Sequence, residues 1–341
     1  MSSRPRLALE ATVKNERHLL RFNLLYHHYL GVEKCFVFDD GSTDDTNDTI
    51  RDLPFVQIAP STAPERFAGQ SEYAEFLARA GDFHCARQNL NSLSAMQQSR
   101  EEGFDWIISL DADELVCTDL NQAYPGQLVD FFTQIPSAIE LVRFSTLELV
   151  QRDVDYTNVF AEGTLFKMLE LGKYITHWMY NPFRRWLNMH RGFYGQGMGK
   201  SAVKTGIKAK PKTPHKYVHL DGSRLNTLWK GYLLHYHCYN FPDFIRKYRN
   251  FKTHPDAYIS GAMVEPVKRL WRDVVNNPDF SEEYLHQYFR RWIAFGDRAV
   301  QRLRRDRQFR FFSRPSPLVE VTAVRQAFSR DLKEQEAESP N

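Results

Sequence analysis

Short apolar runs alternate with longer amphipathic segments over the first 116 residues. Residues 17–30 and 70–102 repeat apolar side chains near the helical period, the second with a break near Gly81. Strands that alternate with helices predict an α/β domain whose parallel strands are joined by right-handed crossovers. The apolar runs that predict its buried strands are Leu7–Val13, Lys34–Phe38, Phe55–Ile58 and Trp106–Leu110.

The hydrophobic pattern is weaker after residue 116, and residues 150–220 show no clear period. The elements predicted in this part are a short helix at 127–133 and strands at 138–148, 217–220 and 233–239. The last of these strands would carry His235 and His237 on one face. From Pro242 onward the pattern predicts mainly helices.

Carboxylates follow two of the predicted strands at the point where each strand ends. Asp39 and Asp40 follow the second strand, and Asp111 and Asp113 follow the fourth. Ligands of open α/β sheets bind where the parallel strands end. Alternation along a strand would put Asp111 and Asp113 on one side, where two carboxylates repel unless a cation lies between them. Oxygen ligands suit Mg²⁺ or Mn²⁺, so the sequence predicts a metal–diphosphate site, against the alternative of an exposed acidic turn.

Composition and charge exclude several other classes. The 341 residues are 42% hydrophobic and 26% charged, which is ordinary for a folded soluble protein. A net charge of +3 gives no bias toward nucleic acid, which we do not expect as a partner. The four cysteines form no C-x-x-C pair, which favours a reducing compartment over a disulfide framework or a zinc site. With no apolar signal segment and no bilayer-length stretch, we expect a cytoplasmic protein.

Four segments in order carry a resemblance to a known family: Thr12–Glu16, His27–Val32, Phe38–Asp44 and Leu110–Leu115. Their motifs resemble the K-N-E, Y-H-x-x-L-G-V, D-D-G-S-x-D and D-x-D-E motifs of a subgroup of the family-2-type glycosyltransferases of the GT-A fold. Gly199–Lys204 and His235-Tyr236 with the later Phe244 resemble two further segments of that subgroup. The resemblance is strong over residues 7–116, and four motifs in order are more specific than one.

The resemblance implies both a fold and an activity. The fold would be GT-A-like and Rossmann-related, a mostly parallel sheet flanked by helices, with a C-terminal helical extension. The activity would be metal-dependent, inverting transfer of a sugar from a nucleotide-diphosphate sugar donor to a glycan or lipid-linked acceptor. Residues 1–116 would bind the donor, residues 117–240 would bind the acceptor within the same catalytic domain, and residues 241–341 would form the helical region.

The resemblance also implies roles for particular residues. Asp111 and Asp113 would hold Mn²⁺ or Mg²⁺ against the donor diphosphate, with His235 as the third ligand and His237 as the fallback. A histidine among apolar and aromatic residues is more often a packed core residue than a ligand, and both interpretations of His235 stay open. The residues expected to bind the nucleotide sugar are Thr12, Lys14, Glu16, Asp39, Asp40, Asp111 and Lys200.

Two of these assignments have structural alternatives. The segment Asp39–Asp44 suits an Asx-turn and a helix cap as well as it suits a nucleotide contact. Inversion needs one carboxylate to accept the proton of the acceptor hydroxyl. Glu148, Asp153 and Asp155 follow the Asp-x-Asp segment at suitable positions, and the sequence does not choose between them.

Other functions fit the sequence less well. A non-catalytic nucleotide-sugar or glycan-binding module could use the same scaffold, and a nucleotidyltransferase could use the same carboxylates. The latter would carry a glycine-rich basic loop after the first strand, where this chain has Lys14-Asn15-Glu16. Gly195–Ser201 resembles the phosphate-binding loop of P-loop NTPases, but Tyr194 stands where that motif requires a glycine, so this class is disfavoured. A dehydrogenase is disfavoured because no G-x-G-x-x-G follows the first strand.

The segment Arg290–Arg314 combines many arginines with aromatic residues. A basic aromatic helix can lie on an anionic membrane, which would place the protein at the inner face of the membrane and suit a lipid-linked acceptor. The alternative, which we favour, is a helix with one solvated face and an apolar side packed on the protein.

Overall fold

The computed structural model describes residues 4–121, 126–168, 198–257, 263–264, 266–298, 300–301, 308–309, 312–313 and 318–329. The described chain divides into two units that interleave in sequence. The first unit takes in the described parts of 4–145 together with residues 198–233 and 327–329, and the second takes in residues 146–168 and the described parts of 234–326.

The first unit is built on a sheet whose first four strands are parallel. The strands are β1 (Leu7–Val13), β2 (Lys34–Asp39), β3 (Val56–Pro60) and β4 (Trp106–Ser109), in the order β4-β1-β2-β3. The helices between them are α1 (Leu20–Tyr29), α2 (Ala74–Arg79) and α3 (His84–Glu101), with short 3-10 turns at Asp48–Ile50, Pro64–Phe67 and Ser71–Tyr73. The predicted α/β fold class is confirmed, and α2 and α3 are separate helices on either side of the break predicted near Gly81.

Several later strands of the first unit pair antiparallel. The later strands and their helix are β5 (Glu114–Cys117), α4 (Leu128–Thr133), β6 (Leu141–Leu149), β8 (Lys200–Lys204), β9 (Ala209–Thr213), β10 (Lys216–His219) and β11 (Thr227–His235). Strand β8 pairs antiparallel with β4 on one side and with the first residues of β6 on the other. Because β8 runs against β4, its first residue, Lys200, lies beside the carboxyl end of β4.

The strand predicted at 233–239 begins and ends earlier than expected. Strand β11 ends at His235, and His237 lies in the turn that follows, so the two histidines do not share a strand face. The aromatic run after His235 suggested further strand, but Cys238 has a positive φ of 50°, which extended backbone does not allow.

The second unit combines the last residues of β6 with two antiparallel strands and a set of helices. Strand β7 (Leu165–Met168) pairs with β6 and with β14 (Leu318–Glu320). Its helices are α5 (Val159–Glu162), α6 (Phe241–Asn250), α7 (Pro266–Val275) and α8 (Glu282–Trp292), and α9 (Ala323–Ser329) follows β14. Helices α6, α7 and α8 bury an aromatic core that includes Phe244, Tyr248, Trp271 and Phe289, which confirms the predicted C-terminal helical extension.

The basic segment Arg290–Arg314 is not one helix, so the amphipathic basic helix expected there is wrong. Helix α8 ends at Trp292, and the short strands β12 (Gln308–Phe309) and β13 (Phe312–Ser313) pair antiparallel further on. Composition alone could not show where the helix ends. Across the described residues we find no helix with the length and hydrophobicity that a bilayer span requires.

Gly199 fixes the approach of β8 to β6. Its φ is +59°, and a Cβ atom at this position would overlap the carbonyl oxygen of Phe144 on β6. Only glycine combines this backbone conformation with so close an approach. The position of the next residue, Lys200, therefore depends on the absence of a side chain at Gly199.

We expect Gly199→Ala to lower the free energy of unfolding by about 3 kcal/mol or more, because the strain of a positive φ adds to a backbone clash. Gly222 also has a positive φ, of 85°, but nothing lies near its Cβ position, so Gly222→Ala should cost only about 1 kcal/mol. Urea denaturation of the two variants measures the difference. Equal losses would contradict a tight approach at Gly199.

Candidate active site

The Asp-x-Asp segment is a turn between two buried strands. Strand β4 ends at Ser109 and β5 begins at Glu114, so the predicted strand alternation of Asp111 and Asp113 is wrong. The Glu114 amide donates to the Asp111 carbonyl at 3.1 Å, and the Asp111 amide donates to the Glu114 carboxylate at 2.9 Å. This pair of bonds closes the turn where β4 ends, beside the parallel strand β1.

Helix α1 holds the backbone of this turn through buried polar side chains. The amide group of Asn23 donates to the carbonyl oxygens of Ala112 at 3.0 Å and of Glu114 at 2.7 Å. Nε2 of His27 accepts from the Val116 amide at 3.2 Å, and its Nδ1 lies 3.0 Å from Asn23 Oδ1. Sequence reasoning missed Asn23, although its spacing of four residues from His27 places both side chains on one helix face.

Lys200 is a buried cation among the carboxylates of the turn. Its ammonium lies 2.9 Å from Asp111 and 3.5 Å from Glu114, and its side chain is 2% exposed. Burial alone would lower the pKa of Lys200, but Asp111 and Glu114 outweigh it, so the pKa is raised and the amine stays protonated. Burial would likewise raise the pKa of Asp111, but the Lys200 charge outweighs that effect and lowers it.

Glu10, in the middle of β1, completes this cluster. Burial raises its pKa from an ordinary 4.5 to about 7, although the Lys200 charge and hydrogen bonds from Ser92, Ser109 and Thr12 oppose the shift. The Thr12 hydroxyl donates to Glu10 at 3.2 Å, and the Ser92 hydroxyl donates to it at 3.0 Å. Glu10 is therefore partly protonated near neutral pH, a property that sequence reasoning did not anticipate.

Asp40, at the end of β2, is held by basic side chains of α3. The Arg87 guanidinium donates to both of its carboxylate oxygens, at 2.6 and 2.8 Å, and His84 lies at 3.1 Å. Burial would raise the pKa of Asp40, but His84 and Arg87 outweigh it and hold the pKa well below its usual range. The buried Asp40 thus stays ionised, with Arg87 as its main partner.

Asp39 and the loop after β1 form a set of turns. Asp39 accepts from the Ser42 amide and from the Asn47 side chain, both at 2.8 Å, which is the Asx-turn that the sequence also suited. The amide of Asn15 donates to Ser42, and that of Glu16 donates to Thr46, so the ends of β1 and β2 are joined. The remaining predicted donor-site residues lie nearby in sequence: Thr12 is buried on β1, and Lys14 is exposed after it.

The second unit contains its own cluster of predicted site residues. Nδ1 of His235 lies 2.9 Å from a Glu148 carboxylate oxygen, and both side chains are buried. Nε2 of His237 lies 3.2 Å from the Tyr248 hydroxyl. The other two candidate bases, Asp153 and Asp155, are exposed.

The charges of the first unit fit a divalent cation. Glu10, Asp111, Asp113 and Glu114 lie at or beside the Asp-x-Asp turn, and Lys200 is the buried ammonium among them. Asp113 is 7% exposed, and its charge acts on Asp111. One ammonium does not balance these acids, and carboxylate oxygens are the ligands that Mn²⁺ and Mg²⁺ prefer. The donor set therefore fits such a metal.

The chain is similar to two glycosyltransferase-like proteins of Arabidopsis thaliana. One is 24% identical over 305 residues, which cover 83% of this chain and 64% of that protein. The other is 24% identical over 237 residues, which cover 64% of this chain and 45% of that protein. The chain thus spans less than two thirds of the length of either relative. No family model matches the chain.

Solved structures of glucosyl-3-phosphoglycerate synthase from Mycobacterium tuberculosis also align with parts of the chain. The complex with phosphoglyceric acid is 12% identical and covers 67% of this chain and 71% of that one, with a TM-score of 0.30. The complex with Mn²⁺, uridine diphosphate and glucosyl-3-phosphoglycerate is 14% identical and covers 68% and 72%, with a TM-score of 0.27.

The raised pKa of Glu10 predicts a pH-dependent stability. Between pH 4.5 and about 7 the folded state binds more protons at Glu10 than the unfolded state does, so stability falls as the pH rises through this window. Glu10→Gln should remove this contribution and gain up to about 3 kcal/mol over wild type between those pH values. Denaturant unfolding of both proteins across this range is the measurement. A pH-independent difference would show that Glu10 titrates normally.

Removing the Lys200 charge should strongly destabilise the first unit. In Lys200→Met the buried carboxylates of Asp111 and Glu114 lose their counter-charge, so we expect a loss of about 3–5 kcal/mol in the free energy of unfolding at neutral pH. Lys208 is exposed in the loop between β8 and β9, and Lys208→Met should change stability by about 0.5 kcal/mol or less. Similar losses in both variants would argue against the buried cluster.

Proposed function

We propose that the chain is a metal-dependent, inverting glycosyltransferase that moves a sugar from a nucleotide-diphosphate donor to a glycan or lipid-linked acceptor. The observation that carries this proposal is the Asp-x-Asp turn, in which Asp111, Asp113 and Glu114 stand with a buried lysine at the carboxyl end of β4. Similarity to the two glycosyltransferase-like proteins of Arabidopsis thaliana supports the same class of enzyme.

In this proposal Asp111 and Asp113 hold Mn²⁺ or Mg²⁺, with His235 as the third ligand and His237 as the fallback. The metal would neutralise the charge that develops on the departing nucleoside diphosphate. Lys200 fixes the carboxylate of Asp111 by a 2.9 Å ion pair and adds positive charge on the side where the diphosphate would bind. Asn23 fixes the backbone of the same turn, so the ligands are held before the donor arrives.

The nucleotide would bind along the ends of β1 and β2, in the proposed donor half at residues 1–116. Both carboxylate oxygens of Asp40 already contact Arg87 or His84, so Asp40 is better suited to shape the pocket than to bind the nucleobase. Asp39 is half-buried, and its carboxylate can accept further hydrogen bonds from a base N–H or a ribose hydroxyl. Thr12, Lys14 and Glu16 would form the wall beside it, at the end of β1.

The acceptor would bind to residues 117–240. The catalytic base would be one of three carboxylates of the second unit: Glu148, Asp153 or Asp155. Both aspartates are exposed and could reach an acceptor hydroxyl. We place the protein in the cytoplasm, because all four cysteines lie in described segments and none forms a disulfide. Contact of residues 290–314 with the inner face of the membrane would suit a lipid-linked acceptor.

A panel of nucleotide sugars, with and without Mn²⁺, tests the proposal. One donor should raise the melting temperature of wild type in the presence of Mn²⁺ and should be hydrolysed or transferred. Asp111→Asn with Asp113→Asn should lower that turnover at least ~100-fold, because the metal can no longer stabilise the leaving group. The matched control is Asp48→Asn with Asp52→Asn, which changes two carboxylates that pair with Arg51 and Arg21.

The same panel separates the alternatives. Donor binding without any turnover would identify a binding module, and turnover of a nucleoside triphosphate with a sugar phosphate would identify a nucleotidyltransferase. Unchanged turnover in the Asp111 and Asp113 double variant would refute the proposed metal site.

A further inference from the structure

Glu148 and His235 form a buried hydrogen-bonded pair in the second unit. Glu148 lies near the end of β6, and His235 is the last residue of β11. Oε2 of Glu148 is 2.9 Å from Nδ1 of His235, and each side chain is 8% exposed. A hydrogen bond to a carboxylate is strong and directional in so dry an environment, so it restricts the orientation of the imidazole ring.

This contact determines which nitrogen of His235 carries the proton. A carboxylate only accepts, so Nδ1 is the donor, and the lone pair that could bind a metal is on Nε2. His237 differs, because its Nε2 faces the uncharged hydroxyl of Tyr248 at 3.2 Å. Metal-binding histidines commonly donate their second ring N–H to a carboxylate, which is the arrangement of His235 with Glu148.

The surroundings of Glu148 bear on the choice between a base and a supporting residue. Its second oxygen, Oε1, is buried and has no hydrogen-bond partner among the described residues. A carboxylate buried with so few partners is costly unless positive charge lies nearby. A metal on Nε2 of His235 would draw electron density from the ring and make Nδ1–H a stronger donor to Glu148. A base, by contrast, must be open to the acceptor hydroxyl.

We propose that Glu148 is a positioning residue that orients His235 for the metal and does not accept the proton of the acceptor. This inference rests on the proposed metal site and refines it in two ways. It explains how His235 would present Nε2 to a metal, and it leaves Asp153 and Asp155 as the candidate bases.

Mn²⁺ affinity measured by calorimetry tests this role without relying on activity. Glu148→Ala should weaken Mn²⁺ binding about 10–100-fold, the usual cost of removing the hydrogen-bond partner of a ligand. Glu148→Gln keeps an oxygen that can accept from Nδ1 and should restore most of the affinity. Glu282→Ala is the matched control, because Glu282 is an exposed glutamate of the same unit. The Mn²⁺ affinity of this variant should equal that of wild type.

Ring ¹⁵N shifts of histidine-labelled, metal-free protein provide a second readout, with His235→Gln used to assign the signals. In wild type and Glu148→Gln we expect the Nδ1–H form of His235, and in Glu148→Ala a shift toward the Nε2–H form. Circular dichroism of each variant shows that the fold is kept.

The outcomes separate this inference from the proposed function. If wild type binds Mn²⁺ and Glu148→Ala binds it equally well, or if the Nδ1–H form persists in Glu148→Ala, the positioning role is overturned and the metal site stands. If Glu148→Gln and Glu148→Ala both abolish turnover with unchanged Mn²⁺ affinity, Glu148 is the base. If wild type binds no Mn²⁺ with or without donor, the metal site and the inference fail together.

Discussion

The buried ammonium of Lys200 is the interaction on which the carboxyl edge of the first unit depends. Its ion pairs with Asp111 and Glu114 hold acidic groups together that would otherwise repel one another. An ammonium this deeply buried would lose its charge without those acids, so cation and anions stabilise each other's ionised forms. The antiparallel direction of β8 and the glycine before it are what bring Lys200 to this edge.

The acids remain in excess of the cation, and that excess gives the edge its chemical character. Burial raises the pKa of Glu10 to about 7, whereas Asp40, further along the sheet, stays ionised because hydrogen bonds from His84 and Arg87 lower its pKa. Two carboxylic acids of one sheet thus differ in protonation because their surroundings differ. Asp113, buried and close enough to act on Asp111, is where added positive charge would relieve the imbalance most directly.

The sequence predicted the parts of this structure that local hydrophobic pattern controls. The apolar runs of β1, β2 and β4 and the break between α2 and α3 were correct, because buried strands and glycine breaks leave local signals. Asp-Ala-Asp is too short to distinguish a strand from a turn by alternation, so the turn was missed.

Features that depend on tertiary contacts could not be predicted from the local sequence. The role of Asn23 depends on carbonyl oxygens about 90 residues away, at Ala112 and Glu114, and a polar residue on a helix gives no sign of such partners. The end of β11 at His235 depends on the unusual backbone of Cys238. The basic segment at 290–314 was wrongly taken as one helix, because composition records side-chain types and not where a helix stops.

The contrast between His235 and His237 shows why residue type and spacing did not suffice to choose a metal ligand. Both are histidines two residues apart, with ring centroids separated by 5.3 Å. Nδ1 of His235 contacts a buried carboxylate, and Nε2 of His237 contacts a hydroxyl. Such a partner sets the tautomer and the basicity of the ring, and it comes from β6, 87 residues earlier in the chain. The chemistry of this histidine is therefore decided by the fold that brings Glu148 to it.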